Sequence, residues 1–132
     1  MRHLRGQASV QVIPRVMRLT YTENRDVGFS ALRFVPPRVR RPLILGLGAS
    51  VLLLLGTLWY RRRAAPPLEH VAFALLAAGG LGNVLDRLLR GYVIDFVHVR
   101  GWPVFNMADV WLVMGGLLLL LITRRAARDV PG

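Results

Sequence analysis

The sequence predicts an all-α membrane protein, three transmembrane helices with a small extracytoplasmic β-rich segment, and three observations carry that reading. Hydrophobic residues fill 54% of the 132 positions and charged residues 19%, with a mean hydropathy of +0.43, which is more apolar side chain than one small core can bury. The apolar residues gather in three long, nearly uncharged runs. Basic residues then close those runs: the net charge is +11, all 18 basic residues are Arg, and clusters stand directly behind apolar stretches, as membrane-topology signals do. A chain this basic would suggest a nucleic-acid partner if its Arg covered a polar surface, but here they punctuate apolar segments, and no nucleic-acid partner is expected. The absence of Cys excludes disulfides, a thiolate nucleophile and a Cys-ligated metal.

Residues 1–41 come first and read as an extracytoplasmic β-rich arm. Residues 9–13 and 15–22 alternate or are rich in β-branched side chains, which predicts short strands, and Asn24-Arg25-Asp26 reads as a turn. Residues 42–132 read as a transmembrane helical domain with helices at about 42–60, 67–89 and 104–123. The first has no charge from Pro42 to Tyr60, enough at ~1.5 Å per residue to approach the ~30 Å of a bilayer core. The second is uncharged from His70 to Leu85, and the third holds a single charge, Asp109. Ala74, Ala78 and Gly82, and Gly46 with Ser50, recur at one-turn spacing and predict close helix packing. Arg61-Arg62-Arg63 and the Arg124-Arg125 cluster must lie on one side, which the positive-inside rule makes the cytoplasm. The arm would then be outside although it carries nine Arg against six in those clusters with Arg128 counted, an imbalance that an upstream spanning helix would overcome. Trp59, Tyr60, Tyr92 and Trp102 fit interfacial anchors.

The chemistry concentrates between residues 79 and 109. Asn83, Asp86 and Arg87 stand at i, i+3 and i+4, on one helical face. Asn106 and Asp109 repeat the i, i+3 spacing, and Asp95 interrupts the apolar run Tyr92-Val93-Ile94-Asp95-Phe96-Val97. A carboxylate near hydrocarbon costs several kcal/mol unless paired or protonated. Asp86 has a neighbour in Arg87 that could neutralise it, whereas Asp95 and Asp109 have none. Two carboxylates brought together share one proton, so that one serves as base and the other as acid. An interfacial loop carboxylate and an Asp favoured by a helix N-terminus are the structural alternatives. His3, His70 and His98 follow no metal-ligand spacing, so neither a metal nor a cofactor is expected.

These residues resemble the lipoprotein signal peptidase (signal peptidase II) family. The matching stretches are Gly79-Gly80-Leu81-Gly82-Asn83-Val84-Leu85-Asp86-Arg87, Gly91-Tyr92-Val93-Ile94-Asp95-Phe96 and Phe105-Asn106-Met107-Ala108-Asp109. Leu19-Thr20-Tyr21-Thr22-Glu23-Asn24 with Phe29-Ser30 is similar to the family's segment after its first helix. The resemblance spans roughly residues 8–125. It implies a multi-pass aspartic endopeptidase of the bacterial cytoplasmic membrane that removes the signal peptide of a prolipoprotein before its diacylglyceryl-modified Cys. It also implies that Asp95 and Asp109 are the catalytic dyad, and that Asn24, Asn83, Asp86, Arg87 and Asn106 shape the site or bind substrate. The implied partners are prolipoproteins and membrane lipid. Members of the family have four spanning helices, the first bearing an Asp-x-x-Thr/Ser-Lys motif, and the resemblance implies that this chain lacks that helix, as a fragment or a degenerate paralogue. Asp26 stands where many members have Gly. The rival readings are a non-catalytic paralogue that grips lipoprotein signal helices, and a small channel or transporter, whose ionisable groups should recur along a path through the helices.

Overall fold

A computed structural model describes residues 9–25, 32 and 34–128 of the chain. The expectations placed on His3, on Asp26 and on Phe29-Ser30 lie outside the described residues. The elements in order are β1 (Val10–Ile13), β2 (Met17–Asn24), α1 (Pro37–Arg61), α2 (Pro67–Arg90), β3 (Val93–Val99) and α3 (Met107–Arg128). The helices have 25, 24 and 22 residues, or about 33–37 Å at ~1.5 Å per residue, longer than the ~30 Å hydrocarbon core. All three are long and apolar enough to cross a membrane, and their Leu and Val side chains are largely exposed rather than packed inward. The protein is a multi-pass helical membrane protein with a small antiparallel sheet.

The first helix starts earlier than its uncharged run, because Pro37 suits a first helical turn and the Arg residues that follow are good helix formers. Pro42 is accommodated inside it at the loss of one backbone hydrogen bond. The third helix starts later than expected. Phe105 pairs with Val97, donating to its carbonyl at 3.0 Å and accepting from its N–H at 2.9 Å, so Phe105 belongs with the sheet and helix begins only at Met107.

By compactness the described residues fall into two units, one within 1–45 and 85–107, the other within 46–84 and 108–132. The first holds the sheet, ordered β1-β2-β3 and antiparallel throughout. Its hairpin turn takes Pro14 to Val16, which moves the start of β2 from Arg15 to Met17. Asn24, expected in a turn, closes β2 instead, in register with Val93.

The second unit packs α2 against α3 through small residues. A Cβ placed on Gly79 would lie 2.5 Å from the Ala108 carbonyl oxygen and 2.8 Å from Leu112 Cγ, and one on Gly115 would lie 2.9 Å from the Ala72 carbonyl oxygen. The seam therefore runs antiparallel along Ala72, Leu76 and Gly79 on α2 and Gly115, Leu112 and Ala108 on α3. Ala72 is fully buried in it. Packing by small residues was expected, but the positions differ: Ala74 and Ala78 are exposed, nothing approaches Gly46, and Ser50 turns its hydroxyl back onto the Gly46 carbonyl at 2.8 Å. Of the predicted set, Gly82 does sit against α3, 3.5 Å from Ala108 Cβ. Trp59 is less an anchor than a packing residue: it stacks on Phe73 and donates from Nε1 to His70 Nδ1 at 2.8 Å.

Candidate active site

Asp95 lies in the middle of β3, opposite Thr22, and is only 3% exposed. Its burial follows from the alternation of the strand, in which Val93 and Asp95 point to the covered face. Two amides meet it. Asn24 is two register positions along on the neighbouring strand, on the same face, and its Nδ2 donates to Asp95 Oδ2 at 2.9 Å. Asn106 Nδ2 donates to Oδ1 at 2.8 Å and is itself buried. The second contact depends on the loop after β3. Gly101 adopts φ +80°, Trp102 N–H returns to the Val99 carbonyl at 3.0 Å, and the Phe105–Val97 pairing then delivers Asn106 to the carboxylate. A positive φ at this turn suits Gly, which has no Cβ to clash.

In the other unit Asp109 occupies the first turn of α3, where a carboxylate complements the helix dipole. Asn83 Nδ2 donates to its Oδ1 at 2.9 Å. Asn83 is the next position on the α2 face that carries Ala72, Leu76 and Gly79, so the close helix approach at Gly79 is what brings this amide within reach. Each of the two carboxylates is thus oriented by neutral amide donors, which fix its geometry without supplying a proton of their own.

Asp86 departs from expectation. Its ion pair is with Arg90, one turn further along α2, and not with Arg87. The reason is geometric, since adjacent helical residues diverge around the axis while i and i+4 share a face. Arg87 is half-buried in the last turns of α2. His98 is also settled by register: it lies opposite Arg18, whose Nε donates to its Nδ1 at 2.8 Å. Among the described residues no three His, Asp or Glu side chains gather closely enough to hold a metal ion. Sequence reasoning did not find the Phe105 bridge or the Arg18–His98 pair, because both are set by strand register rather than by spacing along the chain.

The model of the family described as signal peptidase (SPase) II matches residues 1–125. A lipoprotein signal peptidase of Chlorobaculum tepidum is 34% identical over 130 residues, covering 88% of this chain and 76% of the relative. One of Chlorobium luteolum is 37% identical over 137 residues, covering 93% and 78%. A solved structure described as a bacterial membrane enzyme, determined by the in meso method at 2.3 Å resolution, superposes with a TM-score of 0.79 at 25% identity, over 95% of this chain and 76% of that one. With these similarities spanning nearly all of its length, the chain belongs to the signal peptidase II family and is a membrane peptidase.

Proposed function

We propose that Asp95 and Asp109 form the catalytic dyad of an aspartic endopeptidase that cleaves a prolipoprotein signal peptide immediately before the diacylglyceryl-modified Cys, in the bacterial cytoplasmic membrane. The observation that carries this reading is the treatment of Asp95. A carboxylate buried to this degree and held through both oxygens by Asn24 and Asn106 is fixed in orientation, as an acid–base group must be. Asp109, held by Asn83, is the second carboxylate in the motif set. The reaction needs nothing more than a shared proton and a water molecule. The ionised carboxylate takes a proton from water as its oxygen attacks the scissile carbonyl carbon, and the protonated partner gives its proton to the carbonyl oxygen. The tetrahedral diol then collapses: the amide nitrogen takes a proton from one carboxyl while a diol hydroxyl returns its proton to the other carboxylate, the C–N bond breaks, and the new carboxylic acid and amine leave the dyad with the single proton it began with.

In this reading Asn24, Asn83 and Asn106 position the two carboxylates, and Asp86 with Arg87 shapes the end of α2. Residues 1–41 form an arm outside the cytoplasm and residues 42–132 carry the spanning helices, with 61–66 in the cytoplasm and 91–103 outside. Membrane lipid surrounds the helices and presents the lipid-anchored substrate. The test is cleavage of a diacylglyceryl-modified prolipoprotein by the purified chain in detergent, with the products identified by mass. The expected product begins at the lipidated Cys. A product cut elsewhere, or equal cleavage of the unlipidated precursor, would reject the substrate assignment.

A further inference from the structure

Asn24 is the last residue of β2, and strand ends are where pairing opens most easily. Its amide nevertheless holds Asp95 Oδ2 at 2.9 Å, so the hydrogen bond depends on this end of the sheet staying closed. The facing residue, Val93, is anchored from its own side. Only Gly91 and Tyr92 separate it from the end of α2, and Gly91 makes the turn at φ +82° while its N–H donates to the Arg87 carbonyl at 3.0 Å. The β2 side is held differently, by side chains on the opposite face of the sheet.

Strand alternation puts Thr22 and Asn24 on the face of Asp95, and Tyr21, Glu23 and Arg25 on the other. The register runs one step past the strand end: with Asn24 opposite Val93, Arg25 falls opposite Tyr92. The side chains meet accordingly. The Arg25 guanidinium lies over the Tyr92 ring, 5.2 Å from its centroid, and its Nη2 donates to Glu23 Oε2 at 2.8 Å. The other oxygen of Glu23 accepts from the Tyr21 hydroxyl at 3.3 Å. The Glu23 side chain is 27% exposed against 65% for Arg25, which makes the carboxylate the sheltered centre that orients the cation. One guanidinium thus links the residue after Asn24 to the residue before Val93.

We propose that Arg25 is a positioning residue for the peptidase reaction: oriented by Glu23, it clamps Tyr92 across the end of the sheet and so keeps the Asn24 amide on Asp95. It acts through Asn24 and not on the substrate. The role rests on the reading of Asp95 as half of the dyad, and the experiment separates a failure of the clamp from a failure of that reading.

The test is a mutant cycle on the full chain in detergent, read in the cleavage of a diacylglyceryl-modified prolipoprotein. Arg25→Ala should lower kcat about fivefold, the upper end of what an exposed cation–π contact carries, and leave KM unchanged because substrate binding is untouched. In an Asn24→Ala background the same change should have no further effect, since the clamp works through that amide. Tyr92→Leu should match Arg25→Ala, whereas Arg25→Lys and Tyr92→Phe keep the cation and the ring face and should retain most of the rate. Arg18→Ala removes an Arg from the other end of the same two strands, where it meets His98, and should leave kcat unchanged, which separates the clamp from lost charge or a loosened sheet. The Asn24 side-chain amide signal of a 15N-labelled sample reads the hydrogen bond without turnover: Arg25→Ala should move it toward the position of a solvated Asn and leave that of Asn106 in place. A loss that multiplies with Asn24→Ala, an equal loss in Arg18→Ala, Tyr92→Phe as slow as Tyr92→Leu, or an unmoved Asn24 signal would each overturn the clamp. Turnover surviving in Asp95→Asn would instead overturn the dyad, and the clamp's catalytic role with it, whatever the Asn24 signal does.

Discussion

Asn106 reaches Asp95 because a loop of seven residues, 100–106, doubles back onto β3, and the amide then satisfies an oxygen of a buried carboxylate. Removing such a donor leaves the buried acceptor to bear its desolvation cost, about 1–3 kcal/mol. We expect Asn106→Ala to lower the thermal unfolding midpoint in detergent clearly more than Asn24→Ala, whose hydrogen bond is only part-buried. Equal midpoints for the two variants would contradict this ranking. At this scale the sequence and its family resemblance pointed to all three Asn and both Asp. Which Asn serves which Asp was not legible, since Asn24 meets Asp95 through a β2–β3 register that shifts between Leu19 and Thr22, and no spacing rule encodes such an irregularity. The partner of Asp86 was legible from helix geometry alone, and adjacency in sequence was the wrong guide to it.

The helices were legible as elements because uncharged runs of membrane length leave few alternatives. Their ends were less so: charges mark where a helix meets the interface, not where its hydrogen bonding stops, so α1 begins at Pro37 and α2 and α3 end at Arg residues. The close-packed seam was misplaced because each helix carries several small residues, and only the observed packing tells which face turns inward. That seam makes a sharp prediction. Gly79→Ala forces its methyl against the Ala108 carbonyl and Leu112, both part of α3, and should cost about 1–3 kcal/mol as overpacking does. It should also reduce peptidase activity, since the Asn83–Asp109 hydrogen bond lies one turn further along the same face. Gly82→Ala finds 3.5 Å of room and should be tolerated in both respects. Thermal melts and cleavage rates of the two variants check this, and indistinguishable behaviour would mean that the Gly79 approach does not set the site.

For the molecule as a whole, the distribution of Arg predicts an orientation. Single thiols introduced as Ala64→Cys and Trp102→Cys are unambiguous reporters in a chain without Cys. A membrane-impermeant maleimide added to intact cells should label position 102 and spare position 64, because the positive-inside rule assigns the Arg61-Arg62-Arg63 cluster to the cytoplasmic side. The reverse pattern would invert the topology. The sheet shows what sequence reasoning at this scale leaves out. Two of its strands were expected from alternation, but the third, β3, was read only as an extended run holding Asp95, and its pairing with β2 brings together residues some seventy positions apart.

If Asp95 and Asp109 act as one acid–base unit, turnover at saturating substrate in Asp95→Asn, Asp109→Asn and the double variant will show it. Asn keeps the shape and much of the hydrogen bonding but has no ionisable proton, so either single change should abolish nearly all cleavage while substrate binding survives. The double variant should be little worse than either single one, as expected when two groups share one proton. Wild-type turnover in either single variant, or losses that multiply in the double, would contradict the dyad.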